Sequence, residues 1–307
     1  MVARLTVVGS LNMDLVIRAP RIPQPGETII GSAFHTVPGG KGANQAVAAA
    51  RLGAQVAMVG RVGTDAYGQV LLQNLSEAGV DGHWVAQDNE ASTGVALIVV
   101  DDTGQNSIVV ASGANMRLAP SDVERAEASI AASDALVLQL ESPLQTVMRA
   151  AEIAHRHGVT VVLNPAPARF LPARFLAHVD VLIPNESEAM LLTHTPLAER
   201  FDAESVAGLL LKQGVEAVVI TLGARGALVA REEGTELIPA FPVEPVDTTA
   251  AGDAFVAGFA VAMANKKALP EAVRWGNGAG ALAATQLGAQ SSLPHLVELE
   301  RFLDGYR

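Results

Sequence analysis

An α/β fold with a central, mostly parallel sheet covered by helices on both faces is what this 307-residue sequence predicts, with a smaller antiparallel sheet near the N-terminus. Three observations lead there. Short runs rich in Val and Ile recur along the chain, as strands buried on both faces require, because neither side is left wet to mark the strand by alternation. From residue 121 onward those runs alternate with helix-length segments at roughly 30-residue spacing, the pattern of βαβ units. Within the first 115 residues, by contrast, several strand-like runs lack a helix between successive partners, as in a sheet built from hairpins.

In chain order, LTVVG (5–9) is the first buried strand. DLVIRAP (14–20) and ETIIGSAFHTV (27–37) read as strands of the small sheet. PGGKGANQAVAAARLG (38–53) is a glycine turn entering an Ala-rich helix, and VAMVG (56–60) returns to the main sheet. TGVALIVVD (93–101) and NSIVVAS (106–112) are joined across 102–105, where Gly104 suits a hairpin turn. The small sheet thus falls within 12–38 and 92–113, set apart as a lid would be. SDVE (121–124) and SPLQ (142–145) read as capping boxes, the second with proline at the first helical position. ALVLQL (135–140), VTVVLN (159–164), DVLIPN (180–185) and AVVITLG (217–223) are main-sheet strands, and Gly158 stops the helix between the first two. GALVAR (226–231) is a further strand after a tight turn. No repeat, low-complexity tract or linker divides the chain, so residues 1–307 read as one domain.

Composition narrows the function. Half the residues are hydrophobic and 17% charged, enough for a large core. A net charge of −11 with no basic run argues against nucleic acid and anionic membrane, which need clustered Lys and Arg. The absence of cysteine removes disulfides and thiolate chemistry and fits a reducing cytoplasm. The opening MVARLTVVGSLNMD is broken by Ser10, Asn12 and Asp14, too early for a signal peptide. The longest apolar window, 254–264, falls short of the ~20 residues of a membrane span.

Several stretches could carry chemistry. In VDTTAAGDAF (246–255), small residues precede one carboxylate where a helix begins. Bare amides at a helix N-terminus make an anion site, and Ala250, Ala251 and Gly252 leave its approach open. Asp253 beside a bound phosphoryl group suits a base for an attacking hydroxyl. An ordinary N-cap aspartate fits the same ten residues equally well. Around residues 38–53 the P-loop pattern fails, since His35 stands at the first glycine position and Gly42 follows Lys41. Lys41 and Asn44 among glycines nonetheless make a donor and acceptor cluster suited to a hydroxyl-rich ligand. NESE (185–188) fits either an Asn185 cap with Glu188 at the third helical position, or a carboxylate ordering Mg²⁺ beside phosphates. Thr221, Gly223 and Gly226 end a strand in either a tight turn or a nucleotide loop. GNGAGA (276–281) has the spacing of a dinucleotide site but no preceding strand, so helix packing is the better use of its glycines. The seven histidines form no H-E-x-x-H and G-x-S-x-G is absent, which argues against zinc and serine hydrolases.

PGGKGANQAVAAARLG and DTTAAGDAF, some 200 residues apart and in order, resemble the two signatures of the ribokinase (carbohydrate kinase) family. VVGSLNMD (7–14), LQLESP (138–143) and GAQSS (288–292) strengthen the likeness, which runs from Val7 to about residue 304. The resemblance implies a three-layer α/β core with a β-sheet lid and cytoplasmic, ATP-dependent phosphorylation of D-ribose at its 5-hydroxyl. It also implies Mg²⁺, activation by K⁺, and a homodimer in which lids pair. Other sugars or nucleosides (deoxyribose, fructose, a ketodeoxygluconate) are the family's alternatives. By the same likeness Asp253 is the base and the amides of Ala250, Ala251, Gly252 and Asp253 form the anion hole. Asn12, Asp14, Gly40, Lys41, Asn44 and Glu141 line the sugar pocket. Asn185 meets the phosphates, Glu188 orders Mg²⁺ waters, and Thr221, Gly223, Gly226, Gly252 and Asn277 bound the nucleotide. Asp247 and Thr249 with Ala283, Gln286, Gly288 and Ser292 are the K⁺ set. Many family members carry proline where this chain has Ser291.

Overall fold

The structure is a computed structural model that describes residues 2–196 and 201–306. The chain opens with β1 (Arg4–Val8), β2 (Asn12–Arg18), β3 (Ala33–Gly39), α1 (Lys41–Arg51), β4 (Gln55–Gly63), α2 (Ala66–Glu77), β5 (Val80–Asp88), β6 (Gly94–Val100) and β7 (Asn106–Ala111). Next come α3 (Pro120–Arg125), α4 (Glu127–Ala131), β8 (Ala135–Leu138), α5 (Leu144–Arg156), β9 (Thr160–Leu163), α6 (Ala173–Leu176), β10 (Val181–Leu182), α7 (Glu186–Leu192), α8 (Ala203–Leu211) and β11 (Ala217–Thr221). It closes with β12 (Ala227–Arg231), β13 (Gly234–Ile238), α9 (Ala251–Ala264), α10 (Leu269–Ala284) and α11 (Leu296–Asp304).

The main sheet has the order β13-β12-β11-β10-β9-β8-β1-β4-β5. It is parallel from β11 through β5 and antiparallel at β12 and β13. Two apolar cores flank it. Leu5, Val7, Ala135 and Val137 face the one built with α1, α9 and α10, while Val8, Leu136 and Leu138 face the one built with α5 and α8. Adjacent residues of one strand feed opposite cores, which is why the runs look continuously apolar. The helix window at 254–264 lies within α9, which is buried nearly all round.

The small sheet, β3-β2-β6-β7, corrects one expectation: it is not wholly antiparallel. β2 and β6 pair in parallel, with Asn12 opposite Gly94, and only the hairpin partners β2–β3 and β6–β7 run antiparallel. Both β2 and β6 follow main-sheet strands and so set out in the same direction.

Other boundaries moved for local reasons. The strand expected over 27–37 begins only at Ala33: β2 ends at Arg18, whose carbonyl accepts the Ser32 amide at 2.8 Å, and the residues before that have no β2 strand partner; Ile30 stays exposed. The strand over 180–185 shrinks to Val181–Leu182, since Pro184 has no N–H to give. α3 starts one residue before Ser121: Pro120 takes the first helical position, and Asp122, not Glu124, accepts the Ala119 amide at 2.8 Å. α5 starts at Leu144, with Pro143 extended at the cap, and its first turn closes on the Pro143 carbonyl. The Ser142 hydroxyl therefore caps nothing. The end at Gly158 (φ 67°) is as expected. α2, β5 and β13 lay outside the expected elements. Among the described residues no helix is long and apolar enough to cross a membrane.

The strand order reverses at β1, whose neighbours are β8 on one side and β4 on the other. In open parallel sheets, ligands collect beyond the carboxyl ends of strands at such a switch point. Asn12, Glu141, Asn164, Asn185 and Thr221 all lie at that edge.

Candidate active site

α9 begins abruptly. Ala250 precedes it in the left-handed region (φ 58°), a conformation that costs a residue with a Cβ about 1–2 kcal/mol. The turn is closed by the Ala251 amide, which donates to the Thr248 carbonyl at 3.2 Å. That amide is thus committed, which corrects the expectation of four free amides over 250–253. Those of Ala250, Gly252 and Asp253 have no protein acceptor among the described residues. A Cβ on Gly252 would meet nothing within 4 Å, so space opens in front of these donors.

Asp253 sits in the first turn of α9, 7% exposed, where the helix dipole favours negative charge. Asn44 Nδ2 donates to its Oδ2 and Gln45 Nε2 to its Oδ1, both at 2.9 Å. Both donors come from the first turns of α1. That helix lies close under the β1–β2 connection because residue 42 is Gly: a Cβ there would sit 2.6 Å from the Ser10 amide nitrogen. Gly40 caps the helix at φ 90°, against the Asn12 backbone.

A polar cluster surrounds this carboxylate. Asp14, on β2, is pushed up to about 7 by burial first, then by the neighbouring charges of Glu141 and Asp253. Burial works against the Lys41 charge, but Asp253, Glu141 and Glu188 outweigh it and raise the ammonium above its ordinary value. Glu141 accepts from the Ser10 hydroxyl and, at 3.3 Å, from the Lys41 amide. Asn12 is buried and its Oδ1 accepts from Asn115 Nδ2 at 2.8 Å, which leaves its Nδ2 to donate. Asn44 Oδ1 is buried without a partner, an unmet acceptor beside the aspartate. The structure therefore gathers Asn12, Asp14, Gly40, Lys41, Asn44, Glu141 and Asp253 from four separate segments: β2, the start of α1, the loop after β8 and the start of α9.

On the other side of the α9 N-terminus lies a cavity of about 520 Å³, within the range of small-molecule sites. Thr221, Gly223, Gly226, Gly252 and Asn277 line it, with Phe241 and Phe255 among its apolar walls. Asn277 Nδ2 is spent on the Ile238 and Pro239 carbonyls, both at 3.1 Å, and so props the wall. Asn185 is not part of that lining. Its Oδ1 accepts from the Glu188 amide and the Ser187 hydroxyl, both at 2.8 Å, while Glu188 returns an oxygen to the Asn185 amide at 2.9 Å. The capping box is present, and only Asn185 Nδ2 and the remaining Glu188 oxygen are left for a ligand. Burial raises the Glu188 pKa above the ordinary carboxylate value, against the pull of the Asn185 amide and Lys41.

The two loops read as a cation site also meet. The Val246 and Asp247 amides donate to the Ala284 carbonyl at 2.8 and 3.2 Å, and the Gly288 amide to Asp247 Oδ2 at 2.9 Å. Asp247 Oδ1 accepts from the Thr249 amide and hydroxyl. Burial raises Asp247, but these bonds hold it below the usual carboxylate range. Ala283 and Ser292 are buried; the Gln286 amide donates to the Ala283 carbonyl at 3.2 Å, and the Ser292 hydroxyl to the Ala289 carbonyl at 2.8 Å.

Sequence reasoning missed Gln45, Gln139, Asn164 and Asn115. Gln45 and Gln139 stood inside stretches already singled out, and each is a polar residue in an otherwise apolar run, the one signal that marks them. The dinucleotide-like glycines do pack helices: Gly276 lies against Phe255 of α9, and Gly278 against Leu299 and Leu303 of α11.

Residues 2–296 match the model of the pfkB family of carbohydrate kinases. The chain is 45% identical over 300 residues to the ribokinase of Haemophilus influenzae, covering 98% of each. It is 37% identical to a deoxyribokinase of Salmonella typhi, covering 97% of this chain and 98% of that one. Among solved structures, ribokinase from Arabidopsis thaliana complexed with ribose and ATP superposes with a TM-score of 0.90 at 33% identity, covering 99% of each chain. With this match spanning nearly its whole length, the chain belongs to the pfkB family of carbohydrate kinases.

Proposed function

We propose that this chain transfers the γ-phosphoryl group of ATP to the 5-hydroxyl of D-ribose, forming ribose 5-phosphate and ADP. One observation carries the reading: Asp253 stands at the mouth of an uncovered helix N-terminus, between a hydroxyl-matching polar cluster and a largely apolar cavity. The cluster of Asn12, Asp14, Lys41, Asn44 and Glu141 suits a small, fully hydroxylated sugar better than one bearing a base. The apolar cavity suits a nucleotide's base and ribose.

Asp253 takes the proton of the 5-hydroxyl as that oxygen bonds to the γ-phosphorus, and the bond from phosphorus to the bridging oxygen breaks to release ADP. Asn44 and Gln45 aim the carboxylate. The free amides of Gly252 and Asp253 donate to the transferring oxygens where charge develops. Lys41 offsets the repulsion of two anions meeting inside a protein of net charge −11. The small sheet carries Asn12 and Asp14 on β2, so the residues that hold the sugar belong to the element that excludes water.

Glu188 would hold the water shell of a Mg²⁺, which would supply positive charge to offset that of the nucleotide phosphates. With one oxygen committed to the cap, and with no metal-holding group of three acidic or histidine side chains among the described residues, its donor set fits water-mediated rather than direct ligation. For K⁺, Asp247 and Thr249 face the loop of Ala283, Gln286, Gly288 and Ser292, an all-oxygen set stitched across two loops that fits a hard monovalent cation. A cation held there would supply a fixed positive charge beside the 246–250 turn leading into α9. A cytoplasmic setting fits an ATP-dependent, cysteine-free chain.

A homodimer through the small sheet is supported by its exposed apolar face: Ile17, Phe34, Leu97 and Val109 lie opposite the face that carries Asn12 and Asp14.

ADP release measured over D-ribose, 2-deoxyribose, fructose and nucleosides, each with K⁺ or Na⁺, tests the reading. The expected result is highest kcat/KM with D-ribose and a further rise with K⁺. Turnover confined to deoxyribose, fructose or a nucleoside would overturn the ribose assignment.

A further inference from the structure

Asp253 is reached from the middle of the sheet by a chain of primary amides. Gln45 Nε2 donates to Asp253 Oδ1 at 2.9 Å and lies 3.2 Å from Asn164 Oδ1. Gln45 Oε1 accepts from Gln139 Nε2 at 2.6 Å. Gln139 follows β8 at the switch point, and it fits there only because residue 9 is Gly, since a Cβ at that position would collide with the Gln139 amide oxygen.

Chemistry fixes which way each amide points. An ionised carboxylate only accepts, so Gln45 must turn its nitrogen to Asp253 and its oxygen inward; Gln139 must then present nitrogen. Gln45 is 1% exposed and Gln139 fully buried, so neither has a surface left for substrate. Burying amides is unfavourable unless they are bonded, and an aliphatic side chain would fill the same space without that cost. The bond each makes leads to the carboxylate.

We propose that Gln45, oriented by Gln139, is a positioning residue for phosphoryl transfer: it locks Asp253 in the orientation from which it takes the sugar proton. This rests on the reading of Asp253 as the base. Asn44 has a different task, since it also carries an unmet acceptor in the sugar pocket, whereas Gln45 bonds only protein groups.

The test is kcat, KM for D-ribose and thermal midpoint for Gln45→Leu, Gln139→Leu, their double mutant and Asp253→Asn. Gln45→Leu lowers kcat about 10- to 100-fold, the scale of one hydrogen bond to a charged group, with KM within about twofold. Gln139→Leu lowers kcat less, and the double mutant matches Gln45→Leu alone, because Gln139 acts through Gln45. Should Gln45→Leu fail to fold, Gln139→Leu, one residue further from the base, supplies the kcat-against-KM readout. Wild-type kcat in a folded Gln45→Leu protein, or in Gln139→Leu where that is the only folded variant, overturns the proposal whatever the thermal midpoint, and so do losses that multiply in the double mutant. An inactive Asp253→Asn alongside a fully active Gln45→Leu sinks the positioning role alone, whereas an active Asp253→Asn sinks the base assignment beneath it.

Discussion

Asp14 shares its corner of the site with two other carboxylates, and its acidity records that. Burial, Glu141 and Asp253 lift it from an ordinary 3.8 to about 7. The ligand-free native state therefore holds a proton that the unfolded chain has released between those two values. Stability from this group is full below the lower value and is lost as pH rises through the higher one. Asp14→Asn removes that dependence, so the thermal midpoint of the ligand-free variant falls less than the wild type's between pH 4 and 7; parallel curves would contradict the shared-charge account. Glu188, also raised by burial, acts with the same sign. Asp14 was legible in the sequence as part of VVGSLNMD. Its acidity was not, because it depends on residues 141 and 253 arriving from distant strands and helices.

At the scale of elements, α1 is the part whose position matters most, since Lys41, Asn44 and Gln45 all ride on its first turns. It is seated by glycine: the Ala43 amide donates to the Ser10 carbonyl at 2.9 Å, and Gly42 lies against the Ser10 backbone. Gly42→Ala gains helix propensity but forces backbone apart, with a net loss of about 1–3 kcal/mol in chemical denaturation. It also lowers kcat/KM at least about tenfold by displacing three site residues together. A variant as stable and active as the wild type would show that α1 is not pinned there. Elements buried on both faces, such as β1, β8 and β9, were legible because a run of apolar residues has few other uses. β10 was overread because Pro184 cannot extend it, and β2–β6 pairing was unreadable because local sequence does not encode which distant strand becomes a neighbour. Likewise the N-caps of α3 and α5 were misplaced: proline sets a helix start through backbone shape, and the serines nearby drew the eye without making the bonds.

At the scale of the molecule, the fold sets a polar cluster and a largely apolar cavity on either side of one helix N-terminus, with the small sheet supplying Asn12 and Asp14 to the first. That sheet leaves Leu97 and Val109, paired in register, half or more exposed. If two copies bury them together, Val109→Glu converts a species of twice the 31.8 kDa chain mass into one of that mass by light scattering; a monomeric wild type would contradict the paired-lid arrangement. The most direct test of the whole assembly pairs two readings on Asp253→Asn: calorimetric binding of D-ribose and ADP release with D-ribose and ATP. The arrangement predicts sugar binding near wild type with turnover lower by at least about a thousandfold. Near-normal ADP release from that variant would contradict it.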